Sequence, residues 1–469
     1  MPRQSDLYSR WSLAMRRGRV FSPGERVGVA VSGGPDSMLL LHFVGQLAHE
    51  MGFCPAAVHF NHHLRDAESN GDERFVAGAA EALKIELFHA GADVGRAARD
   101  GKRNLEATAR ELRYRYFFSL VRQGKLDRVA TAHTANDQAE TVLMRLLRGT
   151  GARGLGGIFP ALQGGVVRPF LNVTRAEVET EIARRSVAFR VDRSNLDPRF
   201  TRNRIRQQLL PLLEKEFNPQ IVLLLTSLAG RSRDDEAYLE HQAAEISRPW
   251  RIREGREERI STRALGELPP SLQRRVLRQM ISAARGSPHG LTSLHIEQLR
   301  RFSTSAQSGK ALLLPAGIEA SREFEWLVVR PRKLEQRASG FFCSISPPAE
   351  AHIPGAVLKI RTIEYAGRSA PERPYNSNEG VYIDFDKLAG DLVVRNWLAG
   401  DRFCPQGRRG PRKLKELFLE RKIPAGRRHN WPVLLSGEEI VWVRGFAPGG
   451  RFTVTDSTRR VLLIEEETA

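Results

Sequence analysis

Cysteine is scarce in this chain of 469 residues, which contains only Cys54, Cys343 and Cys404. The three lie far apart and form no Cys-x-x-Cys pair, which argues against a disulfide framework, a zinc site and an iron–sulfur cluster. No apolar run reaches the ~20 residues that a membrane-spanning helix needs. The first residues also lack the continuous apolar segment of a secretory signal. We therefore expect a cytoplasmic protein.

Acidic residues are too few to balance the basic ones. The chain has 54 Asp and Glu against 73 Lys and Arg, which gives a formal net charge of +19. Such an excess attracts polyanions, and RNA, DNA or an anionic membrane would each qualify. A solvated basic surface without a partner is the alternative. The length and the content of 41% hydrophobic and 27% charged residues predict a globular protein of about two to four domains.

The first half of the chain alternates short apolar runs with helical patterns. Strand-like runs cover 26–32, 56–61, 85–90 and 128–133. This alternation is typical of parallel βαβ units and predicts an α/β fold with a doubly wound parallel sheet. Ligands of such sheets bind beyond the carboxyl ends of the strands.

The pattern changes twice further along the chain. From Arg204 it becomes mainly helical, and after about Gly340 short strands and prolines dominate. We predict a catalytic domain at 1–217, a helical domain at 218–335 and a β-rich α+β module at 336–469.

A glycine loop joins the first strand to the first helix of this pattern, and it consists of Ser32, Gly33, Gly34, Pro35, Asp36 and Ser37. The glycines let backbone N–H groups approach a phosphate, and the helix start presents its positive dipole end. The loop lacks the lysine of GxxxxGK[ST] loops. It can still hold a departing pyrophosphate, which suits transfer of AMP from ATP. Asp36 would then be free to hold Mg²⁺. A plain strand–turn–helix connection with Asp36 as the cap is the alternative.

A histidine cluster follows the second strand, with His59, His62 and His63 next to Arg65. No carboxylate or cysteine lies at ligand spacing, so anion contact at the nucleotide is favoured over metal binding. A solvated loop is the remaining alternative.

Two helices carry further candidates. Glu106, Arg110 and Arg113 share one helical face, where Arg113 can neutralise phosphate charge. An ordinary ion pair between Glu106 and Arg110 is the alternative.

His133, Asp137 and Glu140 also share a face, at the start of a helix. The helix dipole alone explains two acids there. They could equally hold a cationic amine, such as a free amino acid with a basic side chain, with His133 as a proton acceptor.

Two basic segments explain most of the charge excess. One spans 184–206 and ends in RFTRNRIR, with Arg202, Arg204 and Arg206. The other spans 402–428 and carries Arg408, Lys413 and Lys415. Such segments suit contact with a phosphate backbone. A solvated face is the alternative, and no amphipathic helix supports a membrane surface.

The motifs taken together resemble known families. SGGPDS after a strand looks like the loop of the N-type ATP pyrophosphatases, which adenylate an oxygen atom of their substrate. In chain order SGGPDS, VHFNHHLR, LEATARELRY, ATAHTANDQAET, RGTGARGLGG, RPF and TRNRIRQQLLPLLEKEFNP resemble the tRNA(Ile)-lysidine synthase family. The resemblance covers about 26–217 and 393–450, and it extends to 240–390 only in layout. One departure is Thr134, where the family often has a second histidine.

This resemblance implies a ligase that uses ATP and Mg²⁺. ATP would adenylate the C2 oxygen of the wobble cytidine in an isoleucine tRNA with a CAU anticodon. Free L-lysine would then displace AMP to form lysidine. The loop residues 32–37 and His62 would bind ATP, with Asp36 on the metal, and Arg113 would position the phosphate.

The same resemblance assigns the remaining candidates. His133, Asp137 and Glu140 would surround the lysine substrate. The predicted tRNA contacts are Arg202, Arg204, Arg206, Arg408, Lys413 and Lys415. The oligomeric state stays open, with a homodimer as one option.

Three other functions are weighed against this one. A tRNA 2-thiocytidine synthase needs cysteines near the loop or an iron–sulfur cluster, and the scattered cysteines argue against it. A small-molecule amide ligase does not explain the basic C-terminal segment. A non-catalytic RNA-binding module does not explain an intact loop together with Asp137 and Glu140.

Overall fold

Strands and helices alternate through the first half of the chain, as the sequence predicts. The computed structural model describes residues 6–63, 66–190, 200–286, 290–332, 340–354, 356–365, 380–423 and 428–468. By its tertiary contacts the chain divides into two units, Met1–Tyr238 and Leu239–Ala469. The strands of the first unit are β1 (Arg26–Ala30), β2 (Cys54–Asn61), β3 (Glu86–Gly91), β4 (Arg128–Thr131), β5 (Ala161–Leu162) and β6 (Val166–Val167).

The helices of the first unit lie between and after these strands. They are α1 (Leu7–Arg17), α2 (Pro35–Met51), α3 (Asp66–Ala82), α4 (Val94–Asp100), α5 (Leu105–Arg122), α6 (Ala135–Leu147), α7 (Ala152–Leu155), α8 (Arg175–Arg185), α9 (Thr201–Arg204) and α10 (Leu210–Glu216). A π-helical turn at Ile205–Leu209 connects α9 to α10. Helix α11 (Ile221–Ser247) begins in this unit and ends in the next.

One six-stranded sheet organises the first unit, in the order β3-β2-β1-β4-β6-β5. The first five of these strands are parallel, and β5 runs antiparallel to β6. Ala30 at the end of β1 is in register with Val58 of β2 and Thr131 of β4. The doubly wound sheet of the prediction is confirmed. Its winding reverses between β1 and β4, which is where such sheets bind ligands.

Helix α2 is fixed firmly against the sheet, and the glycine loop forms its start. Phe43 is fully buried, and its ring packs edge-on against Tyr8 and Phe170 at centroid distances of 5.1 and 5.6 Å. Gly28 in β1 is equally constrained, because a Cβ atom there would lie 2.6 Å from side-chain atoms of Val58 and Leu126. Truncating a core aromatic such as Phe43 costs about 3–5 kcal/mol.

The second unit begins with a mixed segment. A five-stranded antiparallel sheet in the order β7-β8-β11-β10-β9 packs against three helices. Its elements are β7 (Arg251–Glu254), β8 (Glu257–Ser261), α12 (Thr262–Glu267), α13 (Pro270–Arg285), α14 (Ser293–Ser305), β9 (Ala311–Leu314), β10 (Ile318–Glu323) and β11 (Trp326–Pro331). The sequence predicts the long helices here, and the run EFEWLVV at 323–329 predicts a strand that overlaps β11. It does not predict the other strands of this sheet.

The C-terminal part is rich in short strands, as predicted. Two four-stranded sheets have the orders β12-β16-β19-β20 and β13-β14-β21-β15, and β17 pairs with β18. The elements are β12 (Phe342–Ile345), β13 (Ala349–Ile353), β14 (Ala356–Glu364), β15 (Val381–Asp384), β16 (Leu392–Asn396), β17 (Arg402–Phe403), β18 (Arg412–Lys413), α15 (Leu414–Glu420), β19 (Pro432–Ser436), β20 (Glu439–Val443) and β21 (Arg460–Thr468). All three cysteines are free. None of the described helices is long and apolar enough to cross a bilayer.

Candidate active site

The glycine loop leaves the start of α2 open to a ligand. Gly33 has a φ of +85°, which favours glycine, and Gly34 is extended at the N-cap position. Pro35 occupies the first helical turn, and no side chain of a described residue caps the helix. The free N–H groups of a 17-residue helix therefore face the carboxyl end of β1, where they can bind an anion.

The two serines of the loop have different surroundings. Ser37 is buried, accepts a hydrogen bond from the Ser32 amide at 3.2 Å and donates one to the Gly34 carbonyl at 2.9 Å. Ser32 is exposed, with its hydroxyl 3.3 Å from that of Ser37. The Arg190 amide holds the loop from outside by donating to the Gly33 carbonyl at 2.9 Å. Ser37 thus fixes the loop, and Ser32 is free to contact a ligand.

Asp36 has an unsatisfied carboxylate beside this anion site. Its Oδ1 atom is buried and has no hydrogen-bond partner among the described residues. Burial, together with the nearby Asp137, raises the pKa of Asp36 to about 6. The described part of the chain has no cluster of three or more Asp, Glu, His or Cys that would hold a metal alone. One carboxylate combined with phosphate oxygens is nevertheless a usual set of Mg²⁺ ligands, so Asp36 fits that role.

The histidines after β2 lie next to Arg113. His59 is buried in the strand, and burial, with Arg113 adding to the effect, lowers the pKa of His62 to about 4. His62 is therefore uncharged at neutral pH, which suits a hydrogen bond to the nucleotide better than a charge contact. His63 adopts a φ of +46° at the strand end. Arg65 lies outside the described residues.

Arg113 is a half-buried guanidinium without a counter-ion. It has no hydrogen bond or ion pair to any residue in the ranges described, and burial, with Arg110 and Arg202 nearby, lowers its pKa. Arg110 does not pair with Glu106. It lies over the Tyr114 ring, 4.7 Å from the centroid, and donates to the Tyr114 hydroxyl at 3.3 Å. A partly desolvated group of cations is a ready site for a polyphosphate.

His133 lies at the carboxyl end of β4. Its Nδ1 atom is 2.9 Å from the Thr131 hydroxyl oxygen. Burial lowers the pKa of His133 to about 3, with Asp137 opposing the shift and nearby arginines adding to it. The imidazole is therefore neutral at physiological pH, and burial makes it a weak base in the free protein.

The start of α6 holds Asp137 through a capping box. Thr134 is buried at the N-cap, and its hydroxyl oxygen accepts from the Asp137 amide at 3.4 Å. In return Asp137 Oδ2 accepts from the Thr134 amide at 2.9 Å and from its hydroxyl at 3.1 Å. One carboxylate oxygen of Asp137 is thus used by the helix itself.

The other three carboxylate oxygens of Asp137 and Glu140 are held by two arginines. Arg202 donates to Glu140 Oε2 at 2.7 Å and to Asp137 Oδ1 at 2.8 Å. Arg206 donates to Glu140 Oε1 at 2.6 Å, to its Oε2 at 3.0 Å and to Asp137 Oδ1 at 3.2 Å. Glu140 is fully buried. The sequence analysis predicts that Arg202 and Arg206 contact tRNA, whereas in the structure they neutralise the two acids of the predicted amine site. Of the three tRNA contacts predicted in this segment, only Arg204 is exposed.

Several residues of the site are missed by the sequence analysis. Gln138 is fully buried and accepts from the Ile158 amide at 2.5 Å, while Arg145 donates to the carbonyls of Gly154 and Gly157 at 2.9 Å. Arg168 donates to the Tyr114 hydroxyl at 3.0 Å. Gln138 lies in ATAHTANDQAET and Arg168 in RPF, two motifs of the family resemblance, whereas Arg145 lies outside those motifs and contacts RGTGARGLGG.

The predicted C-terminal contacts lie in the second unit around α15. Lys413 and Lys415 are exposed and have no ion pair to any residue that the structure describes. Arg408 and Arg412 both pair with Glu420. The two lysines are therefore better placed than Arg408 to bind a phosphate backbone.

Family models match three parts of the chain. The PP-loop domain matches residues 11–213, the TilS substrate binding domain matches 261–328, and the TilS substrate C-terminal domain matches 392–463.

Curated relatives named tRNA(Ile)-lysidine synthase match almost the whole chain. The relative from Solibacter usitatus is 36% identical over 454 residues, which cover 96% of this chain and 100% of the relative. The relative from Geobacter sulfurreducens is 33% identical and covers 95% of this chain and 94% of its own length. The relative from Caldanaerobacter subterraneus is 32% identical, and the match covers 94% of this chain and 93% of the relative.

Solved structures align less closely. A TilS C-terminal domain is 26% identical over 28% of this chain and 98% of its own, with a TM-score of 0.25. The U34-tRNA thiolase NcsA of Methanococcus maripaludis is 14% identical over 48% of this chain and 80% of its own, with a TM-score of 0.41. The full-length sequence matches are thus the informative comparison.

Proposed function

This chain belongs to the tRNA(Ile)-lysidine synthase family, and from that premise we propose that it joins free L-lysine to C2 of the wobble cytidine in an isoleucine tRNA with a CAU anticodon. It is an ATP-dependent ligase that acts on tRNA. The products are lysidine, AMP and pyrophosphate.

The first step is adenylation of the cytidine. The C2 oxygen attacks the α-phosphorus of ATP, and the bond to pyrophosphate breaks. The open start of α2 binds the phosphates, while Arg113 neutralises charge that builds up on them. Asp36 would hold Mg²⁺, which when bound reduces the negative charge of the phosphate oxygens. Ser32 and His62 are proposed to contact the nucleotide.

The second step is attack by the lysine side chain. The ε-nitrogen forms a bond to C2, the C2–oxygen bond breaks, and AMP leaves with that oxygen. Asp137 and Glu140 orient the amine, and the neutral His133 accepts its proton. Burial is the main cause of the low pKa of His133, and Arg110 and Arg113 add to it. Phosphates bound near these two arginines would offset their part of the shift and make His133 a better base. Desolvation also lowers the pKa of the amine itself.

One observation carries this proposal. The open helix start after β1, the neutral His133 after β4 and the acidic face of α6 lie at the point where the sheet reverses its winding. Asp36 and Asp137 are close enough there for the charge of one to raise the pKa of the other. A nucleotide site and an amine site thus share one sheet edge.

The remaining assignments complete the proposal. Residues 1–217 are the catalytic domain, whereas 218–335 and 336–469 bind tRNA. Lys413, Lys415 and Arg204 are proposed to contact phosphates directly, and Arg408 does so by leaving Glu420. A location in the cytoplasm follows from ATP, free lysine and tRNA as substrates. A homodimer is proposed as well, and sedimentation velocity tests it.

The decisive experiment incubates the protein with ATP, labelled lysine and total tRNA and measures label that stays on tRNA after alkaline treatment. Aminoacyl esters are hydrolysed by alkali, whereas a nucleobase linkage survives. We expect alkali-stable label with wild type and with the exposed control Asp100→Asn, but not with Asp36→Asn. Label that is wholly lost in alkali would overturn the proposal.

A further inference from the structure

Every carboxylate oxygen of the acidic pair of α6 already accepts a hydrogen bond from the protein itself. Three of its oxygens accept hydrogen bonds from Arg202 and Arg206, and the fourth, Asp137 Oδ2, accepts from Thr134. A lysine ε-ammonium needs the same acceptors as these guanidinium groups. Because Glu140 is fully buried, we expect an ammonium to reach both acids when at least one arginine leaves.

Electrostatics requires an exchange of cations here. The Glu140 side chain has no exposed surface, and that of Asp137 is 13% exposed. A buried carboxylate left without a cation strongly destabilises a protein. The free protein must therefore hold some cation at this position, and an arriving ammonium replaces one positive charge with another.

The two arginines are better placed to move than the acids. Their side chains are 28% and 22% exposed, so each has a route towards solvent. Arg206 lies in the π-helical turn Ile205–Leu209, a rare geometry that often marks functional sites. Arg202 also lies near Arg113, so phosphates bound at Arg113 would attract it away from the acids.

From these contacts we propose that Arg202 and Arg206 are internal competitors of the lysine side chain, which occupy Asp137 and Glu140 in the free protein and release them when the substrates bind. This inference rests on the proposed function. It makes the two arginines positioning residues that act through the acids.

The sign of one kinetic effect separates this role from a purely structural one. Removing one competitor should lower the KM for lysine, by roughly 3- to 10-fold, because a larger fraction of the protein is then ready to bind. A structural brace would give the opposite result, since its loss loosens Asp137 and Glu140 and raises that KM.

The test compares Arg202→Gln with Arg202→Lys, which keeps the charge, and with Arg115→Gln, which removes an exposed arginine that pairs with Glu111 outside the site. KM values for lysine and for ATP are measured at saturating tRNA. We expect a lower lysine KM only in Arg202→Gln, with the ATP KM little changed. A lysine KM that is unchanged or raised in this variant overturns the inference. Absence of lysine transfer by wild type would instead overturn the proposed function.

A second measurement uses only the wild-type protein, in case Arg202→Gln does not fold. Hydrogen exchange of 201–209 is followed before and after addition of lysine, tRNA and a non-hydrolysable ATP analogue. Release of the arginines should speed exchange in this segment. Unchanged or slower exchange there overturns the inference.

Discussion

The imidazole Nδ1 of His59 lies 2.8 Å from the carbonyl oxygen of Val31, the residue before Ser32. A carbonyl can only accept, so Nδ1 carries the hydrogen. The second strand thereby fixes the point at which the first strand enters the glycine loop.

Replacing His59 tests this tether. We expect His59→Ala to raise the KM for ATP several-fold, with a smaller effect on the lysine KM. The free energy of unfolding should fall by about 1 kcal/mol, because a buried hydrogen bond is lost. Asn places a donor near the Nδ1 position, so His59→Asn should restore much of the ATP affinity. His89→Ala is the control, because His89 pairs in register with His59 on β3 but is exposed. An ATP KM equal to that of wild type in His59→Ala would rule out the tether.

Asp36→Asn should stabilise the unliganded protein while it abolishes pyrophosphate release. The pKa of Asp36 is raised to about 6, above the unfolded value near 4, so the ionised carboxylate destabilises the fold above pH 6. This penalty fades as the pH falls towards 4. Thermal melts should give the Asn variant a higher Tm at pH 7.5 and a difference that shrinks on acidification. A Tm at or below that of wild type at pH 7.5 contradicts this prediction.

Arg113→Ala should reduce kcat by roughly 100-fold, the typical effect of removing one donor to a developing charge. Its stability should not fall, because Arg113 has like-charged neighbours in Arg110 and Arg202. Arg115→Ala is the matched control on the same helix, since Arg115 is exposed and pairs with Glu111 at 2.8 Å. Single-turnover AMP transfer measures the rate. Similar rates in the two variants would remove Arg113 from the reaction.

Neutralising Lys413 and Lys415 should weaken tRNA binding and its dependence on salt. Each lost phosphate contact lowers the slope of log K against log salt by roughly one. Filter binding between low and moderate salt gives that slope, and kcat at saturating tRNA should change little. Lys359→Gln is the control, because Lys359 pairs with Glu467 at 2.6 Å. An unaltered slope in the double variant places both lysines away from the RNA.

The sequence predicts the parallel sheet because its strands are apolar, β-branched and separated by helical patterns. In the sheet of the second unit it predicts a strand only near β11. It misses β7 and β8, which read RIRE and EERIS and carry more charged than apolar side chains. Strand β8 pairs with β11, far along the chain, with Leu327 opposite Ile260. Such strands are defined by non-local pairing, which a local pattern cannot reveal.

The site shows the same division between local and distant information. Spacing alone places His133, Asp137 and Glu140 on one face, and the glycine loop is visible as a motif. The charge of Arg202 and Arg206 suggests RNA, because only two acids accompany the eight arginines of 184–206. Their actual partners lie more than sixty residues away. Sequence therefore reports which charges exist, whereas tertiary structure decides which of them are still available to a partner.

The capping box of Thr134 and Asp137 has a consequence for how the site assembles. Its contacts span only four residues, so they need no distant segment to form. Threonine is among the preferred N-cap residues, and local contacts alone hold the turn that orients Asp137. The orientation of Asp137 should therefore persist through local opening of the segments packed around it.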